Sequence, residues 1–366
     1  MEPEQTIGAL SRRRLLQVGG ATALACLIGS CGDNAGSGAD EVLRIYEWQG
    51  YDHPSFKALK PYVARSGKPK YTYITSTSEM LTKVKSGFQV DLMHPGVQDL
   101  PALVAFDLIQ PWDLSKINRA SQLDQQLLEF GQVDGKQYLM PFDTGPDTVL
   151  YRSDRVDAPD PESYSMLYDA RYKGRISWFD AATDNLVIWG LMNGVDDPTD
   201  MTDAELAEAK KFLIAHKPLV RNLWSLQTSL EADIAAGDIW VAHGFGASYP
   251  PLKKKGVDVT LAWPKEGRLI YSVGYALSKD TELASSAYQF VNTMLSPEAG
   301  LELTNTFGYQ HPNRNVDLSK VDPDTVKAFG LGDPTSIQPP KAFVVKGQSG
   351  DRLRAYEKTW SDVKAA

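Results

Sequence analysis

The chain has 366 residues and a formal net charge of -8, from 38 Lys+Arg against 46 Asp+Glu; 42% of it is hydrophobic and 10% aromatic, including 8 Trp and 16 Tyr. That length and apolar content suit about two folded lobes, and the acidic balance speaks against a nucleic-acid partner, whose binders carry a basic face. The two cysteines, Cys26 and Cys31, lie in the first tenth of the chain, so no disulfide framework, zinc site or catalytic thiol is expected in the folded body.

The first thirty residues read as an address. Ser11-Arg12-Arg13-Arg14-Leu15-Leu16-Gln17 sets paired arginines before an apolar run, Leu15 to Ile28, diluted by Gln17, Gly19, Gly20 and Thr22. The run is too short and too weakly apolar to span a bilayer, which takes about 20 strongly apolar residues. A basic start before such a stretch is an export signal, and the arginine pair after Ser11 resembles the twin-arginine type. The run closes Ile28-Gly29-Ser30-Cys31, which resembles a lipoprotein cleavage box, so lipid attachment is expected at Cys31. Residues 1–30 are then the signal, and residues 31–40, polar and rich in Gly, a flexible tether from lipid to domain.

From Glu41 strand-like and helix-like segments alternate. Val42 to Trp48 alternates apolar with polar and predicts a strand, Pro54 to Ala64 a helix, Tyr71 to Thr75 a strand, Ser76 to Ser86 a helix and Val90 to His94 a third strand. This βαβαβ opening implies a parallel sheet with helices on both faces. Tyr138–Phe142 and Thr148–Tyr151 read as strands around a turn-rich connection between lobes, Asp143-Thr144-Gly145-Pro146-Asp147. A strand follows at Arg175 to Phe179 and a helix from about Thr183 to Met192. Thr202 to Glu205 matches a capping box that opens a helix to about Ala215. Ile239 to Gly244 and Val257 to Ala262 predict strands with a helix between them. Ala287, Phe290, Val291, Met294 and Leu295 recur at helical spacing and predict one core-facing stripe. A polar helix, about Asp351 to Lys364, ends the chain.

Few residues suggest chemistry. The five histidines, His53, His94, His216, His243 and His311, show no i, i+4 pair for a metal. There is no phosphate loop ending in Gly-Lys-Ser/Thr and no Gly-x-Ser-x-Gly elbow. No enzyme activity, metal or cofactor is therefore expected; a secreted hydrolase built from distant residues is the alternative. What stands out is aromatic residues beside carboxylates at strand ends. Trp48, Gly96 and Asp180 each lie at the carboxyl end of a predicted strand, where ligands of parallel α/β sheets sit, and Asp184 opens the next helix. Tyr271 and Tyr275 share another apolar strand. Ring faces attract an ammonium by about 0.5–2 kcal/mol, and a carboxylate fixes its position.

Several spaced stretches resemble the periplasmic spermidine/putrescine-binding proteins along nearly the whole mature chain. They are Ile45-Tyr46-Glu47-Trp48-Gln49-Gly50-Tyr51, Val90-Asp91-Leu92-Met93-His94-Pro95, Lys136 to Phe142, Tyr172-Lys173-Gly174-Arg175-Ile176, Trp263-Pro264-Lys265-Glu266-Gly267, and Phe307 to Asn313. The resemblance implies the two-lobed periplasmic-binding-protein fold (type II), each lobe a mainly parallel sheet flanked by helices. The lobes would be residues 41–145 plus 272–316 and residues 146–271 plus 317–366, with hinge crossings near Phe142 to Thr148 and Ser272 to Tyr275. It implies a monomer that closes over a small cationic amine and docks on an ABC permease; a chemosensory protein would use the same physics.

Carried over by position, the resemblance implies Trp48 and Tyr51 as first-lobe walls, Gln49 as a polar contact, Asp184 as a second-lobe acid, and Phe245, Tyr271 and Tyr309 as further cleft rings. Four positions depart from the family. Its central aspartate is Val273 here, a serine and a tyrosine after the third strand are Gly96 and Gln98, and a second-lobe aspartate is Ala181, beside Asp180. An unpaired buried charge costs several kcal/mol. Asp143, Asp147 or Asp180 is therefore expected to substitute, or the ligand has one cationic end, as a γ-amino acid or a quaternary amine has.

Overall fold

The opening alternation folds into a parallel unit. Strand β1 (Arg44–Trp48) pairs in parallel with β2 (Lys70–Ile74) on one side and β3 (Leu92–Met93) on the other, Ile45 facing both Tyr71 and Leu92. Helices Lys60–Ser66 and Thr77–Lys85 make the crossovers that parallel neighbours require. The structure, a computed structural model, describes residues 42–48, 50–51, 56–74, 77–348 and 350–366. The expected signal (residues 1–30), tether (residues 31–40), Cys31 and Gln49 lie outside the described residues, as does the start of the helix expected from Pro54. The described helix there begins at Lys60, one short turn (Lys57–Leu59) after Phe56.

Strand β4 (Ile109–Gln110) and the hairpin β5 (Gln132–Val133) and β6 (Lys136–Gln137) precede β7 (Leu139–Arg152), the longest strand. Then come β8 (Ile176–Phe179), β9 (Val220–Trp224), β10 (Val241–Phe245), β11 (Val259–Leu261), β12 (Arg268–Ser278) and β13 (Ala342–Val344). The main path runs β2-β1-β3-β12-β7-β10-β8-β9. β10, β8 and β9 are parallel among themselves, as β1, β2 and β3 are. Two long antiparallel strands join these groups. β12 meets β3 and β4 at its far end and β13 at its start, and β7 meets β12 with its first half and β10 and β11 with its second. The fold is mixed α/β, in two halves, with β7 and β12 running through both.

Each half has its own core. In the first, helix Ala284–Met294 presents Ala287, Phe290, Val291 and Met294, with Leu295 just beyond, to Leu43, Ile45 and Tyr275. Each large apolar side chain buried there contributes about 1.5–3 kcal/mol. In the second, Tyr164, Trp178, Leu186 and Leu213 pack with Tyr356, Trp360 and Val363 of the terminal helix Gly350–Ala365. That helix is polar overall, yet residues 356, 360 and 363 form one buried stripe. The capping box forms: Thr202 Oγ1 accepts from Glu205 N at 3.3 Å, and Glu205 Oε2 accepts from Thr202 N at 2.7 Å.

One expectation is corrected. Asp143-Thr144-Gly145-Pro146-Asp147 is not a turn but the middle of β7. Its composition is that of a turn, but β12 pairs with it from Asp143 to Asp147, and Thr144 exchanges backbone hydrogen bonds with Gln310, both 2.9 Å. Pro146 is tolerated because the β10 ladder ends at the Phe245–Asp147 pair, so no N–H is required of it.

Candidate functional site

A strand presents residues i, i+2 and i+4 on one face, so β7 sets Asp143, Gly145 and Asp147 in a row. Their partners across the ladder on β12 are Val273, Tyr271 and Leu269, and Phe245 of β10 stands opposite Asp147. One sheet face thus carries two carboxylates beside a row of apolar and aromatic side chains. The ring of Tyr309 lies over Gly145, where any side chain would overlap it. This close approach is why the position between the two aspartates is glycine. The Thr144–Gln310 bridge and the bond from Thr304 Oγ1 to Tyr309 O (2.9 Å) hold the ring there.

Asp184 joins this group from the second half. It lies in the first turn of helix Ala182–Met192, which follows β8, and its Oδ1 accepts from the Tyr271 hydroxyl at 2.9 Å. Burial lifts its carboxyl to about 6, with the Tyr271 bond pulling the other way. Asp147 is raised well above the ordinary carboxylate value, by burial first and by the negative charge of Asp184 second. Burial lifts Asp143 to about 7 against the pull of His94 and of the Tyr51 hydroxyl bonded to it. Among the described residues no lysine or arginine forms an ion pair with any of the three.

The first half supplies the ring wall. Tyr51 stacks on Phe307 at 5.1 Å and meets the edge of His94 at 4.9 Å. Trp48 Nε1 donates to His94 O at 2.8 Å. Phe245 packs edge-on against Phe179 and Trp224, each at 4.9 Å. The structure therefore gathers Trp48, Tyr51, Asp143, Asp184, Phe245, Tyr271 and Tyr309 around the β7–β12 pair. Gly96 bridges Val273 and gives its N–H to Asp99 Oδ2 at 2.9 Å. The Gln98 side chain folds over Gly96 with its Oε1 buried and, among the described residues, unpartnered.

Asp180 is not brought into the group, which corrects its expected role. Its Oδ1 accepts from Trp360 Nε1 and Lys364 Nζ of the terminal helix, both at 2.8 Å. Burial alone would raise its carboxyl, but these two bonds hold it below the ordinary value. Position-by-position reading also missed the buried pair Glu47 and His94 and the ring of Phe307. It left Asp147 as a mere substitute. A period-2 reading of residues 143 to 147 as strand would have set Asp147 beside Asp143. Among the described residues no cluster of three or more metal-ligating side chains occurs.

The profile of the family described as bacterial extracellular solute-binding protein matches residues 62–329. A spermidine/putrescine-binding periplasmic protein of Salmonella typhimurium is 23% identical over 363 residues, which is 96% of this chain and 98% of that protein. The solved structure of a putative spermidine/putrescine ABC transporter protein from Listeria monocytogenes superposes with a TM-score of 0.76 at 21% identity, covering 88% of this chain and 98% of the other. A structure described as the Atu4243-GABA receptor superposes with a TM-score of 0.65 at 18% identity, covering 88% and 97%. The last two likenesses show a shared fold, and the profile match spans most of the sequence: the chain belongs to the bacterial extracellular solute-binding protein family.

Proposed function

We propose that the chain is the extracytoplasmic binding component of an ABC uptake transporter of the polyamine type, and that it captures an amine with a cationic group at each end. One observation carries this reading: Asp143, Asp147 and Asp184 are buried on a ring-lined floor with no lysine or arginine paired to them among the described residues. A lone buried carboxylate costs several kcal/mol. A ligand ammonium offsets that cost with a charge-assisted hydrogen bond. Asp143 and Asp147 are four residues apart on an extended strand, about 13 Å between Cα atoms. They therefore serve opposite ends of an elongated ligand, with Tyr309 along its middle.

Two further points support a dication. Where the resembling family has its central aspartate this chain has Val273, and Asp143 is the residue directly across the ladder from it. The carboxylate has in effect moved one strand over, by about 5 Å. An anionic ligand end would need a cation of the protein, and no lysine or arginine pairs with these three acids among the described residues, so a γ-amino acid fits less well. Calorimetric titration with putrescine, spermidine and γ-aminobutyrate tests the reading: the diamines bind and γ-aminobutyrate is much weaker. The reverse order overturns it. Asp184→Asn should weaken diamine binding by about 1–3 kcal/mol.

Closure of the lobes, residues 41–145 plus 272–316 against residues 146–271 plus 317–366, would complete the contacts and present the protein, as a monomer, to its permease. X-ray scattering should show compaction on adding ligand. Export by the twin-arginine route and anchoring at Cys31 belong to the same proposal. Cys31→Ala should move the protein from the membrane fraction to the soluble one.

A further inference from the structure

Beside Asp143 the first half buries a polar pair that the amine reading leaves unused. Glu47 and His94 are 1% and 0% exposed. Glu47 accepts from Trp48 N at 2.9 Å and from the Tyr275 hydroxyl at 3.4 Å, and it bonds His94 Nδ1. Glu47 acts as acceptor throughout, so Nδ1 carries a hydrogen, and in the neutral ring Nε2 then presents its lone pair. The imidazole cannot turn to find another partner. It is stacked on Tyr275 at 4.6 Å and wedged between the edges of Tyr51 (4.9 Å) and Phe142 (5.9 Å). Among the described residues Nε2 is buried with no hydrogen-bond partner, and so is Oδ2 of Asp143, whose carboxylate meets the Tyr51 hydroxyl and lies close enough to His94 to interact with it electrostatically. Two buried polar atoms thus stand near one another among these rings, each leaving a hydrogen bond unmade.

We propose that with ligand bound His94 is the neutral Nδ1–H tautomer, and that Asp143 Oδ2 and His94 Nε2 together take the N–H donors of one primary ammonium, so that this end of the cleft selects –NH3+ over methylated ammonium. The inference rests on the amine reading above and refines it. An aromatic box without these acceptors would favour a quaternary ammonium, which needs only ring faces. A primary ammonium brings three donors, a tertiary one and a quaternary none, so the two acceptors reverse the preference.

The test is calorimetry on the purified chain with three probes: putrescine, its N,N,N',N'-tetramethyl derivative and its hexamethyl bis-quaternary derivative. Both ends are methylated so that neither can turn a primary amine toward Asp143. Affinity should fall at each step, to at least about 30-fold for the bis-quaternary compound. In the double variant Glu47→Gln/His94→Phe, which keeps a ring and leaves no carboxylate stranded, putrescine should weaken about tenfold and the preference should shrink by the same factor. Bis-quaternary binding within twofold of putrescine to the native protein overturns the inference and leaves the amine reading standing. So does an unchanged preference in the double variant. Binding of none of the three probes removes the amine reading itself. The native-protein series decides the matter even where the double variant fails to fold.

Discussion

Ligand affinity should climb with pH between 5 and 8, and capture should release protons. Burial lifts Asp143 to about 7 and Asp184 to about 6, from an ordinary value of 3.8. The ligand-free protein therefore holds protons that an arriving ammonium must displace. An alkylammonium, with a pKa of about 10, stays charged throughout. For a cation that binds only the ionised acids, the Asp143 equilibrium alone weakens binding about 90-fold from pH 8 to pH 5, and Asp184 adds about tenfold. Together that is about 1000-fold, or about 4 kcal/mol. At pH 6.5 Asp143 is about three-quarters protonated and Asp184 about one-quarter, so these two release about one proton per ligand, and Asp147, also raised by burial, adds to it. Titrating putrescine in buffers of different ionisation enthalpy gives that number directly. Affinity constant within about threefold from pH 5 to 8, or release of less than about 0.2 proton, would refute the argument. Folding stability has the opposite sign. A carboxyl raised on folding supports the ligand-free fold below its unfolded value, and that support is lost as pH rises through the folded one.

Other outcomes follow from the same contacts. Asp143→Asn should stabilise the ligand-free protein at pH 8 by on the order of 2–4 kcal/mol, read from urea unfolding, while weakening putrescine at least about tenfold; unchanged stability would mean that the buried charge carries no penalty. Gly145→Ala drives a methyl into the Tyr309 ring and should cost about 1–3 kcal/mol in thermal stability along with ligand affinity. Tyr271→Phe removes the donor to Asp184; binding should weaken by about 1.5–3 kcal/mol, and the midpoint of the pH profile should move upward. Thr202→Ala should cost about 1 kcal/mol of stability through the lost cap and leave ligand affinity unchanged.

The elements that were legible in the sequence are those specified by local pattern. The alternation at β1, the stripe from Ala287 to Leu295 and the Thr202–Glu205 box each rest on neighbours in sequence, and each formed within a few residues of expectation. The middle of β7 was misread because turn propensity is local, whereas its pairing with β12 joins residues more than 120 apart. Asp180 sits where a strand-end acid should, yet its partner Lys364 is 184 residues away, and no spacing rule announces such a partner. The Glu47–His94 pair, 47 residues apart, is invisible for the same reason. Ring positions such as Trp48 and Tyr309 were legible through short motifs, because an aromatic residue beside a turn is conspicuous. The pairing of the carboxylates was not, because it depends on which face of a strand each occupies.

The acids Asp143 and Asp147 stand on the strand that runs through both halves. On the proposed reading, a ligand held there presses on the connecting element itself, so recognition and mechanical freedom would draw on the same few peptide units. If the halves close as proposed, a substitution that retunes which amine is held would also reset how readily they part, and a search for altered specificity in this chain should score release rate alongside affinity.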